Sequence, residues 1–266
     1  MSEEITKKGR AILVTGAGRG FGYALVCELL RDECETFAYV IACVRNATDA
    51  SSYSSRVRIE GGIPAHRAAC LRVEVLDVAS SRSVAELSGR LDKHQHQWQV
   101  DTVINNAAIF TDRNVPVAGA SPDEALETFN INALGCMRVC AELLPFHLLA
   151  EEYSMPLIVN ISGEMGSIER VVDFPSKALN YGYRMSKAAL NMLTRCLSIE
   201  FEGRAIIVSL HPGWMQTRMG GESAPLSEFD CAKSLVAHLI GPVGVGIRSP
   251  CLSGAFVDNS LNRMPF

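Results

Sequence analysis

The sequence predicts an α/β fold, a single domain built on a doubly wound, Rossmann-type parallel sheet with helices on both faces. Two observations predict it. Strand-length apolar runs alternate with helical stretches along the whole 266-residue chain, the pattern of repeated strand-helix-strand units. Most of those runs are continuous in aliphatic residues, as strands covered on both faces require. With 48% hydrophobic and 20% charged residues, the chain has the material for one large core. No Pro-, Gly- or Ser-rich linker and no internal repeat divides it.

Taken in order, Ala11-Ile12-Leu13-Val14 is the first strand. Thr15-Gly16-Ala17-Gly18-Arg19-Gly20-Phe21-Gly22 is a turn and helix start, and Tyr23 to Leu30 continues the helix. Phe37 to Val44 is the second strand, and a polar segment follows from Arg45 to about Ala69, in which the Ser51–Ser55 patch reads as a loop. Leu71 to Asp77 alternates like a strand. Ser80 and Ser81 open a helix carrying Val84, Leu87 and Leu91, and Val100 to Ile104 is the fourth strand. Ser121 as N-cap and Pro122 at the first helical position open a long helical stretch toward Ala150. Leu157 to Ile161 is the fifth strand, Tyr183 to Glu202 a helix, Ala205 to Leu210 the sixth strand and Gly254 to Val257 a short last one.

Several function classes are excluded by composition. The 25 Lys and Arg against 29 Asp and Glu leave a net charge of −4, too mild to draw nucleic acid or an anionic membrane. Met1 to Arg10 is polar, without the apolar stretch of a secretory signal, and the longest apolar run, Phe37 to Val44, is too short to span a bilayer. A cytoplasmic protein with no membrane partner is expected. The nine cysteines are odd in number and scattered. Cys136 and Cys140 stand four apart on a helix with no histidine pair to join them, so buried reduced thiols and no metal site are expected.

In such sheets ligands bind beyond the carboxyl ends of the strands. At the first of these ends, the glycines permit positive φ and close backbone approach, while a helix N-terminus offers N–H groups to a pyrophosphate. This is a dinucleotide site. Its glycine spacing, Gly16, Gly20 and Gly22, differs from the commonest fingerprint. Further along, Tyr183 and Lys187 lie one helical turn apart on one side. An ammonium close to a phenol favours the phenolate and would lower the Tyr183 pKa, fitting the tyrosine for general acid work toward a carbonyl oxygen.

Together, Thr15-Gly16 to Gly22, the strand-ending Asn105-Asn106-Ala107-Ala108, Asn130-Ile131-Asn132-Ala133-Leu134-Gly135, the Tyr183/Lys187 pair and Pro212-Gly213-Trp214-Met215-Gln216-Thr217 follow one order. The chain resembles the short-chain dehydrogenase/reductase family over almost its whole length. The stretch His211 to Gly221 and the long segment before Tyr183 look like its small carbonyl reductases of the sniffer and C-signalling factor type. The resemblance implies one domain over residues 1–266, with 10–110 mainly the cofactor half and 120–266 the catalytic and substrate half. It implies hydride transfer between a nicotinamide cofactor and a small-molecule carbonyl or alcohol, with Tyr183 as proton donor or acceptor. Lys187 would hold the nicotinamide ribose and lower the tyrosine pKa. Asn132 would position a water in the proton relay, or act as a polar cap or helix-kink residue. Asn105 would meet the cofactor through its backbone, with Ala107 beside it, or simply end a strand. Asp77 would contact adenine next to Val78, or form a turn. Gly16, Gly20, Phe21 and Gly22 at one end, and Pro212, Gly213, Met215 and Thr217 at the other, would complete the cofactor site. A homodimer or homotetramer is implied, with helices near Leu143-Leu144 and Leu190 to Leu197 as faces.

One position departs from the family. Its serine just after the fifth strand hydrogen-bonds the substrate oxygen, yet Asn160-Ile161-Ser162-Gly163-Glu164-Met165-Gly166-Ser167 has Gly163 there. Ser162, Ser167 or a water takes the role, or turnover is weak, in which case the protein is a cofactor-binding scaffold or redox sensor. Alternating strand side chains argue against Ser162 unless the strand has already ended.

Charge indicates the cofactor form. NAD sites place Asp or Glu at the end of the second strand, whereas a 2′-phosphate needs a cation. Arg45 directly follows Val44, and Arg19 lies inside the glycine turn. Both point to NADP(H). The substrate pocket would be built by Ile109 to Val117, by Glu164 to Gly182, including Phe174 and Lys177, and by the stretch after Thr217.

Overall fold

The computed structural model describes residues 9–32, 36–95, 97–144, 155–173, 179–240 and 246–266. Seven strands, β1 (Gly9–Val14), β2 (Tyr39–Val44), β3 (Leu71–Val75), β4 (Trp98–Asn105), β5 (Leu157–Ile161), β6 (Ile206–Leu210) and β7 (Phe256–Val257), form one sheet in the order β3-β2-β1-β4-β5-β6-β7. All six pairings are parallel. The order reverses at β1, whose Val14 lies between Ala42 of β2 and Ile104 of β4. This is the switch point where the connections leave toward opposite faces and a crevice opens.

Among the described residues, eight α-helices cover the sheet: α1 (Gly20–Arg31), α2 (Ala47–Glu60), α3 (Ala65–Ala68), α4 (Ser81–Asp92), α5 (Pro122–Phe129), α6 (Gly135–Leu143), α7 (Tyr181–Glu200) and α8 (Glu228–Leu239). Successive strand residues point to opposite faces, so the continuous apolar runs serve two cores. Ile12 and Val14 pack with α1 and α8 through Leu25, Leu29, Leu235 and Leu239. Ala11 and Leu13 pack with α4 and α6 through Leu87, Leu91, Val139 and Leu143.

Two sequence expectations need correction. The Ser51–Ser55 patch is helical, inside α2. The Asn46 side chain caps that helix by accepting from Asp49 N at 2.9 Å, and Tyr53 and Val57, one turn apart, are its buried anchors. A cap and two anchors outweigh the poor helix propensity of serine. The helical stretch from Pro122 is broken by a π-helical turn, Asn130–Leu134, before α6; its expected end near Ala150 lies outside the described residues. Leu143, Leu144 and Leu190 are buried in this chain's own core, while the same helices turn Met137, Met185, Met192 and Ile199 outward. The sequence reading also passed over α8, whose Ser227 cap and buried Cys231, Ala232, Leu235, Val236 and Leu239 follow helical spacing.

Among the described residues, no helix is long and apolar enough to cross a membrane. Nor is there a cluster of three metal-ligating side chains among them, and their cysteines are free thiols.

Candidate active site

The glycine turn between β1 and α1 is shaped by what it touches. Gly16 has φ +64°, and a Cβ there would lie 2.7 Å from the Ala107 Cα. A Cβ at Gly22 would lie 2.5 Å from both Asn106 Nδ2 and the Gly16 carbonyl. No other residue fits either place. The Asn106 and Ala107 N–H groups donate to Thr15 Oγ1 at 3.0 and 3.1 Å, and Asn106 Nδ2 donates to the Thr15 and Gly16 carbonyls. The end of β4 is thus fastened to the turn. From the other side, Tyr53 Oη donates to the Ala17 carbonyl at 2.9 Å and Arg56 Nη2 to the Gly18 carbonyl at 2.5 Å. Phe21 is buried beneath. No side chain caps α1 and no acidic residue lies in its first turn, which leaves its N–H groups and dipole for an anion.

Cations gather around this turn. Arg19, Arg45 and Arg218 are all exposed. Partial burial and the charges of Arg218 and Arg45 hold the Arg19 pKa below its ordinary value, with Asp49 opposing. The loop after β6 reaches the turn directly: Thr217 Cγ2 lies 3.5 Å from where a Gly20 Cβ would be. Within that loop Pro212 is buried, Gly213 has φ +100°, and Met215 bridges to Leu226.

The remaining cofactor candidates are divided between backbone and turn roles. Asn105 is buried, its Nδ2 donating to Asn160 Oδ1 at 2.9 Å, and Asn160 Nδ2 donating in turn to Thr194 Oγ1 at 2.8 Å. The Asn105 Nδ2 is committed to this network, while its Oδ1 is buried without a hydrogen-bond partner. Asp77 is a turn former, with Oδ1 accepting from Ala79 N at 3.0 Å and its N–H donating to Ser83 Oγ at 3.0 Å. Val78 packs against Gly135, where a Cβ would come within 2.9 Å of Val78 Cγ2.

On α7, Lys187 is buried and Nζ donates to the Ile161 carbonyl at 2.7 Å. Burial drives its pKa down to about 8. Burial likewise pushes the Tyr183 pKa up to about 12, and the charge that opposes this is Arg113. The expectation that Lys187 lowers the Tyr183 pKa is therefore corrected. The ammonium, 5.7 Å from the Tyr183 ring centre, is directed at Ile161, and desolvation outweighs charge. Asn132 sits on the π-helical turn. Its Oδ1 accepts from Ile109 N at 2.8 Å, and its Nδ2 donates to the Ile109 carbonyl at 2.9 Å and to Ser186 Oγ at 3.0 Å. Both readings of Asn132 thus begin from a helix kink.

The end of β5 separates the serine candidates. The Ser162 hydroxyl is buried without a hydrogen-bond partner. Ser167 Oγ accepts from Arg170 N at 3.1 Å and closes a turn. Position 163 faces Tyr183: a Cβ there would lie 3.6 Å from Tyr183 Oη, with no other contact inside 4 Å among the described residues beyond its chain neighbours.

Residues 10–226 match the family model described as short chain dehydrogenase. The chain belongs to the short-chain dehydrogenase family. It is 33% identical to the C-signal protein of Myxococcus xanthus over 168 residues, covering 63% of this chain and 93% of that one. Its fold is similar to the carbonyl reductase Sniffer of D. melanogaster, with TM-score 0.80 and 25% identity over 96% of this chain and 99% of the other. It is similar too to an NADPH-bound carbonyl reductase from chicken fatty liver, with TM-score 0.81 and 26% identity over 98% and 100% of the chains.

Three features of this short-chain dehydrogenase were missed in the sequence. Asp112 is buried and caps α7 from outside, accepting from Gly182 N at 2.5 Å and Tyr183 N at 3.3 Å. This compensates for Asn180, which has φ +47° and provides no side-chain cap. Arg113 and Arg218 carried no pattern beyond their charge, although Arg218 directly follows Thr217. Finally, a cavity of about 690 Å³ lies off the ends of β5, β6 and β7, lined by Glu164, Arg170, His211 and Asp258 among others. His211 Nδ1 accepts from Glu164 N at 3.3 Å, and burial lowers its pKa. Of the expected pocket segments, Phe174 and Lys177 lie outside the described residues.

Proposed function

We propose that this short-chain dehydrogenase is an NADPH-dependent carbonyl reductase that converts an aldehyde, ketone or quinone to an alcohol. The observation that carries the reading is Tyr183. Its phenol, with a pKa pushed up to about 12, stays protonated at neutral pH and faces position 163. A protonated phenol is the form that reduction needs.

The chain fits the cofactor. The Cβ-free cradle at Gly16 and Gly22 and the uncapped start of α1 suit a pyrophosphate. Arg19 and Arg45 suit the 2′-phosphate, with Arg218 across from them. Bound NADPH supplies a hydride to the carbonyl carbon. Tyr183 Oη gives its proton to the carbonyl oxygen. Lys187, with a pKa of about 8, is mostly charged at pH 7 and would hold the nicotinamide ribose. Asn132 fixes the π-helical turn whose backbone positions the water that returns a proton to Tyr183. Asn105 and Ala107 meet the cofactor through their backbone, as do Pro212, Gly213, Met215 and Thr217 from the other side.

Gly163 favours a second reading, a cofactor-binding protein with weak turnover. Losing one donor to a developing oxyanion costs on the order of a hundredfold in rate or more. Position 163 faces Tyr183 Oη and carries no hydroxyl, and a water takes its place. Oxidation of NADPH by the purified chain across aldehydes, ketones and quinones, with NADH as control, tests the reading. Tight NADPH binding without turnover would favour the second.

A further inference from the structure

Arg113 holds an unusual place in the loop after β4. Its guanidinium carbon lies 4.7 Å above the centre of the Phe110 ring. Phe110 in turn stacks on Tyr183, with ring centres 4.4 Å apart and 27° between the planes. The three side chains form a layered stack ending on the proton donor. The loop cannot drift, because the neighbouring Asp112 is fastened to Gly182 and Tyr183 at the start of α7. Across the cleft, Arg113 Nη2 donates to the Arg218 carbonyl at 3.2 Å and to the Met219 carbonyl. Nε and Nη1 have no partner among the described residues. No carboxylate among them is ion-paired with Arg113, and the nearest acid in sequence, Asp112, is engaged by α7.

Arg113 is exposed and has no counter-ion among the described residues, but its guanidinium is fixed on one face of Phe110, one ring away from Tyr183, with one nitrogen tied to the Arg218 and Met219 carbonyls. We propose that Arg113 is a specificity-determining residue and that the carbonyl substrate carries a carboxylate, which binds the free edge of its guanidinium. The proposal rests on the carbonyl reductase reading and names its substrate class. A planar guanidinium with one nitrogen already anchored presents its remaining N–H groups to a planar carboxylate, and one charge balances one charge. The layers between Arg113 and Tyr183 require a spacer between the carboxylate and the carbonyl, of roughly the size of an aromatic ring. The influence of Arg113 on the Tyr183 hydroxyl supports the placement, since its charge is the one that opposes burial there.

The test compares 4-carboxybenzaldehyde with its neutral methyl ester as substrates for the full chain with NADPH. The wild type is expected to favour the acid in kcat/KM by on the order of tenfold, the worth of one hydrogen bond to a charged group. In Arg113→Gln that ratio falls to about one, through KM of the acid, and Arg113→Lys recovers part of it. A purely structural role, holding the loop that carries Arg218 and Met219, would weaken both substrates equally and leave the ratio unchanged. That result, or no preference in the wild type, overturns the proposal. If neither aldehyde is reduced, the panel of carbonyl compounds decides the carbonyl reductase reading, and calorimetric binding of benzoate to the NADPH-loaded chain decides the matter of Arg113. Binding that Arg113→Gln abolishes sustains the anion site; absence of binding, or equal binding to both proteins, overturns it.

Discussion

Gly163 faces Tyr183 directly: a Cβ on the glycine would lie 3.6 Å from the tyrosine hydroxyl, and apart from its chain neighbours no other described residue stands within 4 Å of it. Gly163 has φ −174°, extended backbone that any residue adopts. Gly163→Ser therefore fits without strain and restores a donor beside the reacting oxygen. Its kcat for carbonyl reduction should rise, by up to about a hundredfold. An unchanged kcat would mean that a bound water or another group already supplies that hydrogen bond.

Cofactor choice should follow Arg45. It is the first residue after β2 and lies within the field of Arg19. Replacing Arg45 with Asp substitutes the ribose-binding charge for the phosphate-binding one, and the ratio of NADPH to NADH affinity should fall by on the order of tenfold or more. Fluorescence titration with each cofactor measures it. Arg218→Gln should weaken NADPH binding as well.

The pH profile should have one limb in the neutral range. Lys187 is charged below its pKa of about 8 and neutral above it, so its hold on the ribose declines as pH rises through that value. Tyr183, raised to about 12, stays protonated throughout and adds no limb below pH 10. Measured as kcat/KM for reduction, activity should hold from pH 6 to 7.5 and decline above about 8. Lys187→Arg, which stays charged, should flatten the decline.

Asp112 should matter for stability and catalysis together. Its carboxylate satisfies the Gly182 and Tyr183 N–H groups at the start of α7. Asp112→Ala leaves them without a side-chain acceptor and should lower stability by about 1–2 kcal/mol, as losing a cap does, with reduced kcat because Tyr183 loses its anchor. Urea unfolding and steady-state rates test the two effects separately.

Much of this fold was legible in the sequence, because both cores are written in the strands. Ala11-Ile12-Leu13-Val14 reads as a strand buried on two faces, and it is one. Gly16 and Gly22 were legible because only glycine tolerates Ala107 and Asn106 so close. What escaped detection depends on contacts between distant segments. Two buried residues and a cap make α2 a helix where serines suggested a loop. Asp112 caps a helix that begins about 70 residues later in the chain, and no local pattern announces such a partner. The Tyr183 pKa went the wrong way because spacing shows proximity to Lys187 but not the depth of burial, which here outweighs charge.

The most direct test of the central claim is NADPH oxidation by wild type and Tyr183→Phe across a panel of aldehydes, ketones and quinones, with NADPH affinity measured for both. Turnover in the wild type that the variant loses, while its NADPH affinity stays comparable, is the predicted result. Equal rates in the two proteins would contradict it.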